Sequence, residues 1–482
     1  MLSNAITKRC GLLVGGLLAA CLFAAAQQPA PAMVTAQDRR SLAITIYNAD
    51  FALVNETRRA RLPAGAVRLE FEDVPATIEP ATVHLRLSRG LQVLDESYEY
   101  DVLNPERLLE KYVGKEITLV LRSQQSGAAR DEDVKALLLS TNGPVWKIGG
   151  EIVTGLAPVG YRFPELPGGL YTRPTLVWTL RDGDAGERSL DVSYLADNLT
   201  WAASYVLDLG RDGRPGDLEG WVSLTNNSGA TFPDAQLSLV AGAVHRASAP
   251  RPGPPPAMPM ARSVVVGGVA GQFAEEAAGE YHLYQLDRRI TLQNNESKQI
   301  SLLAAAAVPV AQTYVVEGTP YFYRQPLPQG QPAQEAVKVY LSFRNDAASG
   351  LGQPLPAGVI RVYQSDNRGN LQLLGEDNIG HTAKDETARL YIGNAFDIAA
   401  ERHQTDYRRI SDRVRESAFE ITLRNHKNEP VTIQVREPVG GSWEVLESNY
   451  PAKKIDAFTL GFDVPLGANA AASLTYRVRV TD

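Results

Sequence analysis

Cysteine is almost missing from this sequence. Of its 482 residues only Cys10 and Cys21 are cysteines, and both stand in an apolar N-terminal segment. A chain that loses this segment has no disulfide, no thiol nucleophile and no cysteine-based metal site. Cores of this size need no covalent staple. Histidine is nearly as scarce: His84, His245, His282, His381, His403 and His426 are the whole set. No two of them are spaced i+2, i+3 or i+4, so the chain offers no local imidazole pair for a metal. Also absent are a G-x-S-x-G elbow, a G-x-x-x-x-G-K-[ST] phosphate loop and an H-E-x-x-H helix. Gly114-Lys115 lacks both the upstream glycine spacing and a following hydroxyl. VVVGGVAGQF carries glycines after an apolar run, but at the wrong spacing for a dinucleotide turn. Positive charge is lacking too. The formal charge is −7, and it becomes −9 without Lys8 and Arg9, since the N-terminal segment holds no acidic residue. No basic footprint for nucleic acid exists.

The N-terminus reads MLSNAITKRCGLLVGGLLAACLFAAAQQPAPA. Lys8 and Arg9 precede an uncharged apolar run from Gly11 to Ala26, and Ala24-Ala25-Ala26 supplies small residues for cleavage. Residues 1–26 therefore read as a secretory signal peptide, because the run is short and a polar, Pro-rich stretch follows. Leu18-Ala19-Ala20-Cys21 resembles a lipobox, which makes Cys21 a candidate for lipidation and membrane anchoring. The apolar run continues past Cys21 through Leu22 and Phe23, which favours ordinary cleavage near Ala26. The expected location is exported, in the periplasm or cell envelope, with membrane contact only through Cys21.

Apolar residues make up 44% of the chain, with 40 glycines, 30 prolines and 19 tyrosines. This balance favours many short strands joined by turns. Residues 27–38 read as a flexible linker. Residues 39–102 read as an N-terminal β domain, in which Leu42, Ile44 and Ile46 share a face. Residues 103–165 open with a short helix, marked by Asn104 as cap, Pro105 at its first position and Gly114 at its end. About five short strands follow, the pattern of a small SH3-like barrel. Residues 166–482 read as β-sandwich modules, with a disordered Pro/Gly/Ala-rich loop at 248–279. The expected fold class is all-β and multidomain: sandwich modules plus a small SH3-like barrel with one short helix.

Three segments share a layout. VSLTNNSG leads to AQLSL, VKVYLSFRN leads to VIRVY, and FEITLRNHK leads to VTIQVR. Each is an alternating strand ending in Asn, then a polar turn, then a second alternating strand. Asn closes turns with its own side chain, and the layout fits stacked sandwiches. His426, after Asn425, reads as the exposed crown of a hairpin, since no acid partner is evident and the other two copies have no histidine there.

The strongest chemical constellation is GEDNIGHTAKDE. Glu376, Asp377, His381, Asp385 and Glu386 are the candidate ligands for a divalent ion, or an acid/base pair. The competing reading is a solvated loop between strands. RDGDAGE places Asp182 and Asp184 at calcium-loop spacing but lacks the rest of that pattern, so it reads as a turn. Arg402, Arg408, Arg409, Arg413 and Arg415 are interleaved with acids and read as a solvated mixed-charge strand or loop. Trp201 and Trp221 fall in strand patterns and read as packing residues. Tyr321, Phe322 and Tyr323 form a short aromatic cluster suited to a contact surface. No catalytic set or cofactor site emerges.

YNADFALVNETRRARLPAG together with FEDVPATIEPATV resembles the start of bacterial exported proteins that carry domain of unknown function 4139. LADNLTWAASYVLDL, GWVSLTNNSGATFPDAQLSLVAG, YHLYQLDRRITL and FEITLRNHKNEPVTIQVRE are similar to that domain's recurring blocks. Some relatives are labelled mucoidy-inhibitor-like and carry a long coiled coil first; no heptad run exists here. The resemblance implies a mostly β envelope protein and supplies no catalytic residues. The expected function is a non-enzymatic binding or scaffolding role toward an envelope protein or glycan. The alternative is a hydrolase of an envelope polymer that works through residues 376–386.

Overall fold

The computed structural model describes residues 31–86, 90–99, 105–125, 128–165, 167, 171, 173–210, 214–242, 244–246, 272–278, 281–328 and 332–481. Residues 1–26, read as a signal peptide and including Cys21, and most of the 248–279 segment lie outside them. The fold is all-β and multidomain. Its strands form where apolar residues alternate. In Phe51–Leu62, Ala52, Val54, Ala60 and Leu62 are buried on one face. Each Val or Leu so buried contributes about 1.5–3 kcal/mol.

Three sheets enclose the first core. The largest runs, in spatial order, through Phe273–Ala278, Tyr281–Leu286, Phe232–Ala241, Arg39–Tyr47, Phe51–Leu62, Gly186–Asp197 and His84–Arg86, with Ile290–Leu292 beside Phe232–Ala241. The second runs through Glu296–Val308, Gly216–Asn226, Leu199–Leu209, Gly358–Ser365 and Leu371–Ile379. The third holds Ala32–Val34, Gly65–Glu72, Thr175–Asp182 and Leu91–Glu99. Ile44, Val54, Phe71, Trp178, Tyr205 and Leu239 lie in their common core.

Three expectations change here. Residues 39–102 are not a separate domain, because Arg39–Tyr47 pairs in parallel with Phe232–Ala241 and Phe51–Leu62 pairs with Gly186–Asp197. The 27–38 segment is not wholly a linker. Ala32–Val34 pairs with Leu69–Phe71, and Thr35 caps a single 3-10 turn over Ala36–Asp38. Nor is 248–279 a loop throughout, since Phe273–Ala278 pairs with Tyr281–Leu286. The first two were hidden because the partners lie far away in sequence; the third was hidden by the low-complexity composition of the segment that precedes it.

The second core lies between two further sheets. One holds Thr387–Asn394, Val337–Arg344, Val310–Glu317, Val431–Pro438, Thr459–Leu466 and Lys453–Lys454; the other holds Ala333–Glu335, Ile398–Arg409, Val414–Asn425, Ala471–Thr481 and Ser442–Ser448. The strand Val337–Arg344 serves both cores. Val337 and Val339 enter the second, while Leu341 and Phe343 enter the first. Val310–Glu317 does the same, with Val310 in the first and Tyr314 and Val316 in the second.

The small unit begins with the helix Pro105–Lys111 and continues through five strands between Glu116 and Arg162. Tyr112, Leu119, Leu138 and Trp146 form its own core. It is inserted between Leu91–Glu99 and Thr175–Asp182, which pair with each other.

The three Asn-ending strands do not form hairpins. Val414–Asn425 and Val431–Pro438 belong to different sheets, as do Gly216–Asn226 and Phe232–Ala241, and Val337–Arg344 and Gly358–Ser365. Each turn is an arch that carries the chain across a core. The arch leaves backbone carbonyls without ladder partners, and the Asn side chain supplies them with donors. Asn226 Nδ2 donates to Ala230 O (2.9 Å) and Gln293 O (2.9 Å). Asn345 Nδ2 donates to Gln353 O (2.8 Å), Ala383 O (3.0 Å) and Thr382 O (3.2 Å). Asn425 Nδ2 donates to Glu429 O and Gly467 O, both at 2.8 Å. All three are buried. His426 is exposed on its arch, with its backbone N–H on Asp397 O.

Candidate functional site

The residues of GEDNIGHTAKDE do not converge. Glu376 pairs with Arg361 at 3.2 Å on an exposed strand. Asp377 accepts from the backbone N–H of Tyr391 at 2.7 Å and of Asn378 at 2.8 Å. His381 Nδ1 accepts from Ala357 N at 3.3 Å, and burial, aided by His282, lowers its pKa. Asp385 takes a positive φ of 66° in the turn, and Glu386 accepts from Ala383 N. Among the described residues, no group of three or more His, Cys, Asp and Glu side chains is placed to hold a metal.

The remaining candidates divide between packing and turns. Asp182 closes the RDGDAGE turn, gripping Arg188 with both oxygens at 2.8 and 2.9 Å. Trp201 is buried, with Nε1 on Val240 O. In the aromatic cluster Tyr321 is exposed but Tyr323 is buried. Arg402 is a correction: it is fully buried rather than solvated. Its Nη2 meets Glu437 at 2.6 Å and Glu335 at 3.0 Å, and its guanidinium lies over the Phe322 ring. Tyr323 donates to Glu437 at 2.6 Å. Burial raises the Glu437 pKa against the pull of Arg402. Arg408 and Arg409, by contrast, keep the exposed setting the sequence suggested and pair with Asp406 and Asp412.

A depression of about 300 Å³ lies on the outer face of the eight-stranded sheet. The register builds it from two neighbouring rungs. One runs Arg86, Asp191, Thr57, Ser41. The other runs His84, Ser193, Asn55, Ala43, Gln236. These positions alternate with the buried Leu42, Glu56 and Val192, so period-two geometry turns them outward. Thr57 Oγ1 donates to Asp191 at 2.8 Å, and Arg289 stands on the rim. The surface offers hydroxyls, amides, an imidazole, guanidinium groups and one carboxylate. It has no paired acid and base around a nucleophile. Its donors and acceptors are of the kind that can hydrogen-bond a polar molecule.

Directly beneath, Glu56 and Arg58 point into the core. Arg58 holds both Glu56 oxygens, at 2.9 and 3.1 Å. Arg39 Nε adds a third contact at 2.7 Å and Tyr194 OH a fourth at 2.9 Å. Arg58 also donates to Glu72 O and stacks 3.7 Å above the Phe71 ring. Burial alone would raise the Glu56 pKa; Arg58 and Arg39 reverse that and hold it below the ordinary value. Sequence reading passed over this group. The available signal was the phase of the strand, which places Glu56 and Arg58 on the face of Val54 and Ala60.

The family model for domain of unknown function DUF4139 matches residues 190–480. The match opens inside the strand Gly186–Asp197 and takes in Asn226, Asn345 and Asn425. It leaves out Arg39–Tyr47 and Phe51–Leu62, which pair with strands it covers. No curated protein matches the chain.

Proposed function

We propose that this chain, which belongs to the DUF4139 family, is an exported envelope protein whose work is binding, with a glycan of the envelope as its ligand. The observation that carries this reading is the two-rung depression on the outer face of the eight-stranded sheet. Sugars present dense arrays of hydroxyls that both donate and accept. Ser41, Thr57, Ser193, Asn55 and Gln236 do the same across a rigid surface. Strand-borne side chains hold their spacing more closely than loop-borne ones. The N-terminal signal pattern of Lys8, Arg9 and the Gly11–Ala26 run supports export to the compartment where such polymers lie.

Binding is tested by titrating isotope-labelled protein with defined envelope oligosaccharides and following the amide signals. Shifts should concentrate on Ser41–Ala43, Asn55–Thr57 and Asp191–Ser193. Ser193→Trp, which fills the depression, should abolish them. Site-specific photo-crosslinking from Asn55 in cells, with Lys147 of the small unit as control, identifies the ligand in place. If Asn55 and Lys147 capture the same products, or if Ser193→Trp binds as well as the native chain, the reading is wrong. Capture of a protein at Asn55 alone would replace the glycan with a protein partner.

A further inference from the structure

We propose that the ligand of the two-rung depression is an uncharged, linear glycan that lies across the strands, an assignment that rests on the glycan reading of the same surface. Five neighbouring strands line the depression: His84–Arg86, Gly186–Asp197, Phe51–Leu62, Arg39–Tyr47 and Phe232–Ala241. Strands in a sheet lie about 4.8 Å apart, so the depression runs for about 19 Å across them.

Its cross-section follows from the register. The rung from Arg86 to Ser41 is one wall, and the rung from His84 to Gln236 is the other. On a shared strand the two wall residues stand two positions apart, as Thr57 and Asn55 do, which separates the walls by about 7 Å. Between them lie Leu42, Glu56 and Val192, whose side chains are buried, so the floor there is backbone. That backbone is already paired in the ladder, and the walls must supply the hydrogen bonds to a ligand. A volume of about 300 Å³ spread along this length makes a narrow trough, which suits one thin chain.

Charge disfavours an acidic polymer. Arg86 stands opposite Asp191 in the register, and Arg289 Nη1 lies 3.8 Å from Asp234. Each guanidinium at the trough has a carboxylate beside it, so no excess positive charge awaits an acid group of the ligand. The middle of the trough, with Thr57, Asn55, Ser193 and Ser41, is neutral and both donates and accepts. No Phe, Tyr or Trp lines it, so a sugar is held at its edges and not stacked by its face. A pyranose lying flat on the floor turns its equatorial hydroxyls sideways to both walls. In an extended chain of equatorially linked pyranoses each sugar advances by about one strand spacing, so the trough takes about four sugars.

The test is titration of the signal-free, isotope-labelled chain with β-1,4-linked glucose oligomers of two to six sugars. Affinity should rise about tenfold or more from dimer to tetramer and by less than about twofold from there to the hexamer. The tetramer oxidised at C6 to glucuronate, which keeps the linkage and adds charge, should bind more weakly than the neutral one. A nitroxide at the reducing end of the tetramer reports direction: broadening should be strongest at one end of the trough, on His84–Arg86 or on Gln236, and weakest at the other. Ala43→Leu, an outward-facing change that narrows the trough, should remove most of the gain from dimer to tetramer. Shifts at the depression with no gain from dimer to tetramer, broadening spread along a single strand, an oxidised tetramer that binds as tightly, or a full gain in Ala43→Leu each overturn the trough and spare the glycan reading. No amide shift with any oligosaccharide removes both.

Discussion

Replacing Asn345 with alanine tests the arch more sharply than any other change. Asn345 Nδ2 serves Gln353 O, Ala383 O and Thr382 O, and its Oδ1 accepts from Gly352 N at 3.1 Å. The side chain is fully buried. Each such bond contributes about 1 kcal/mol net, and alanine leaves several buried backbone groups unserved. The expected loss is about 3 kcal/mol. For a sandwich of this size that lowers the unfolding midpoint by roughly 6–12 °C. Urea unfolding followed by tryptophan fluorescence measures it, with Asn367→Ala at an exposed turn as control, expected within about 0.5 kcal/mol of native. Asn345→Asp adds a pH test. The carboxylate would face three carbonyl oxygens where a donor stood, so its folded pKa should rise above the unfolded value. Its penalty should then be smallest below the unfolded pKa and grow as pH rises through the folded one. An Asn345→Ala chain as stable as the Asn367→Ala control, or an Asn345→Asp chain with no added pH dependence, would refute the argument.

Glu56→Gln removes the carboxylate that Arg39 and Arg58 share and should destabilise by about 3–5 kcal/mol, measured by the same urea titration. Because the folded Glu56 pKa is depressed, the stability it brings is present above its unfolded value and lost as pH falls through the folded one; Glu56→Gln should flatten that acid limb. A Cβ at Gly318 would overlap the buried Glu437 carboxylate, so Gly318→Ala should displace it from Arg402 and lower the midpoint by several degrees in a thermal scan. Excision of residues 101–173, with a short glycine bridge from Tyr100 to Pro174, should leave the rest folded, because Glu99 and Thr175 already stand opposite each other in the ladder. A two-dimensional NMR spectrum that retains the sandwich signals checks this.

Alternation told which face each strand buries. Phe419, Ile421 and Leu423 go inward, and so do Val431, Ile433 and Val435. It did not tell which strand lies alongside, because a hairpin and an arch bury the same residues. Hence Asn425 and His426 read as a hairpin crown, although their flanking strands belong to opposite sheets. The helix at Pro105 was legible from local caps alone. The parallel pairing of Arg39–Tyr47 with Phe232–Ala241 was not, since no local signal spans that distance. The carboxylates of 376–386 drew attention by crowding in sequence, yet extended strands spread such residues apart. Asn55 and Ser193 lie far apart in sequence, and only the sheet register gathers them into one surface.

The strands Val310–Glu317 and Val337–Arg344 give side chains to both cores. A chain built this way has no seam at which recombination could exchange one sandwich for another, because any breakpoint within these strands strips residues from both interiors. The two sandwiches must be inherited together. The insertion between Leu91–Glu99 and Thr175–Asp182 is under no such constraint, since its ends meet on neighbouring strands. Lineages carrying this architecture can gain, lose or replace that unit while the paired sandwiches travel as one.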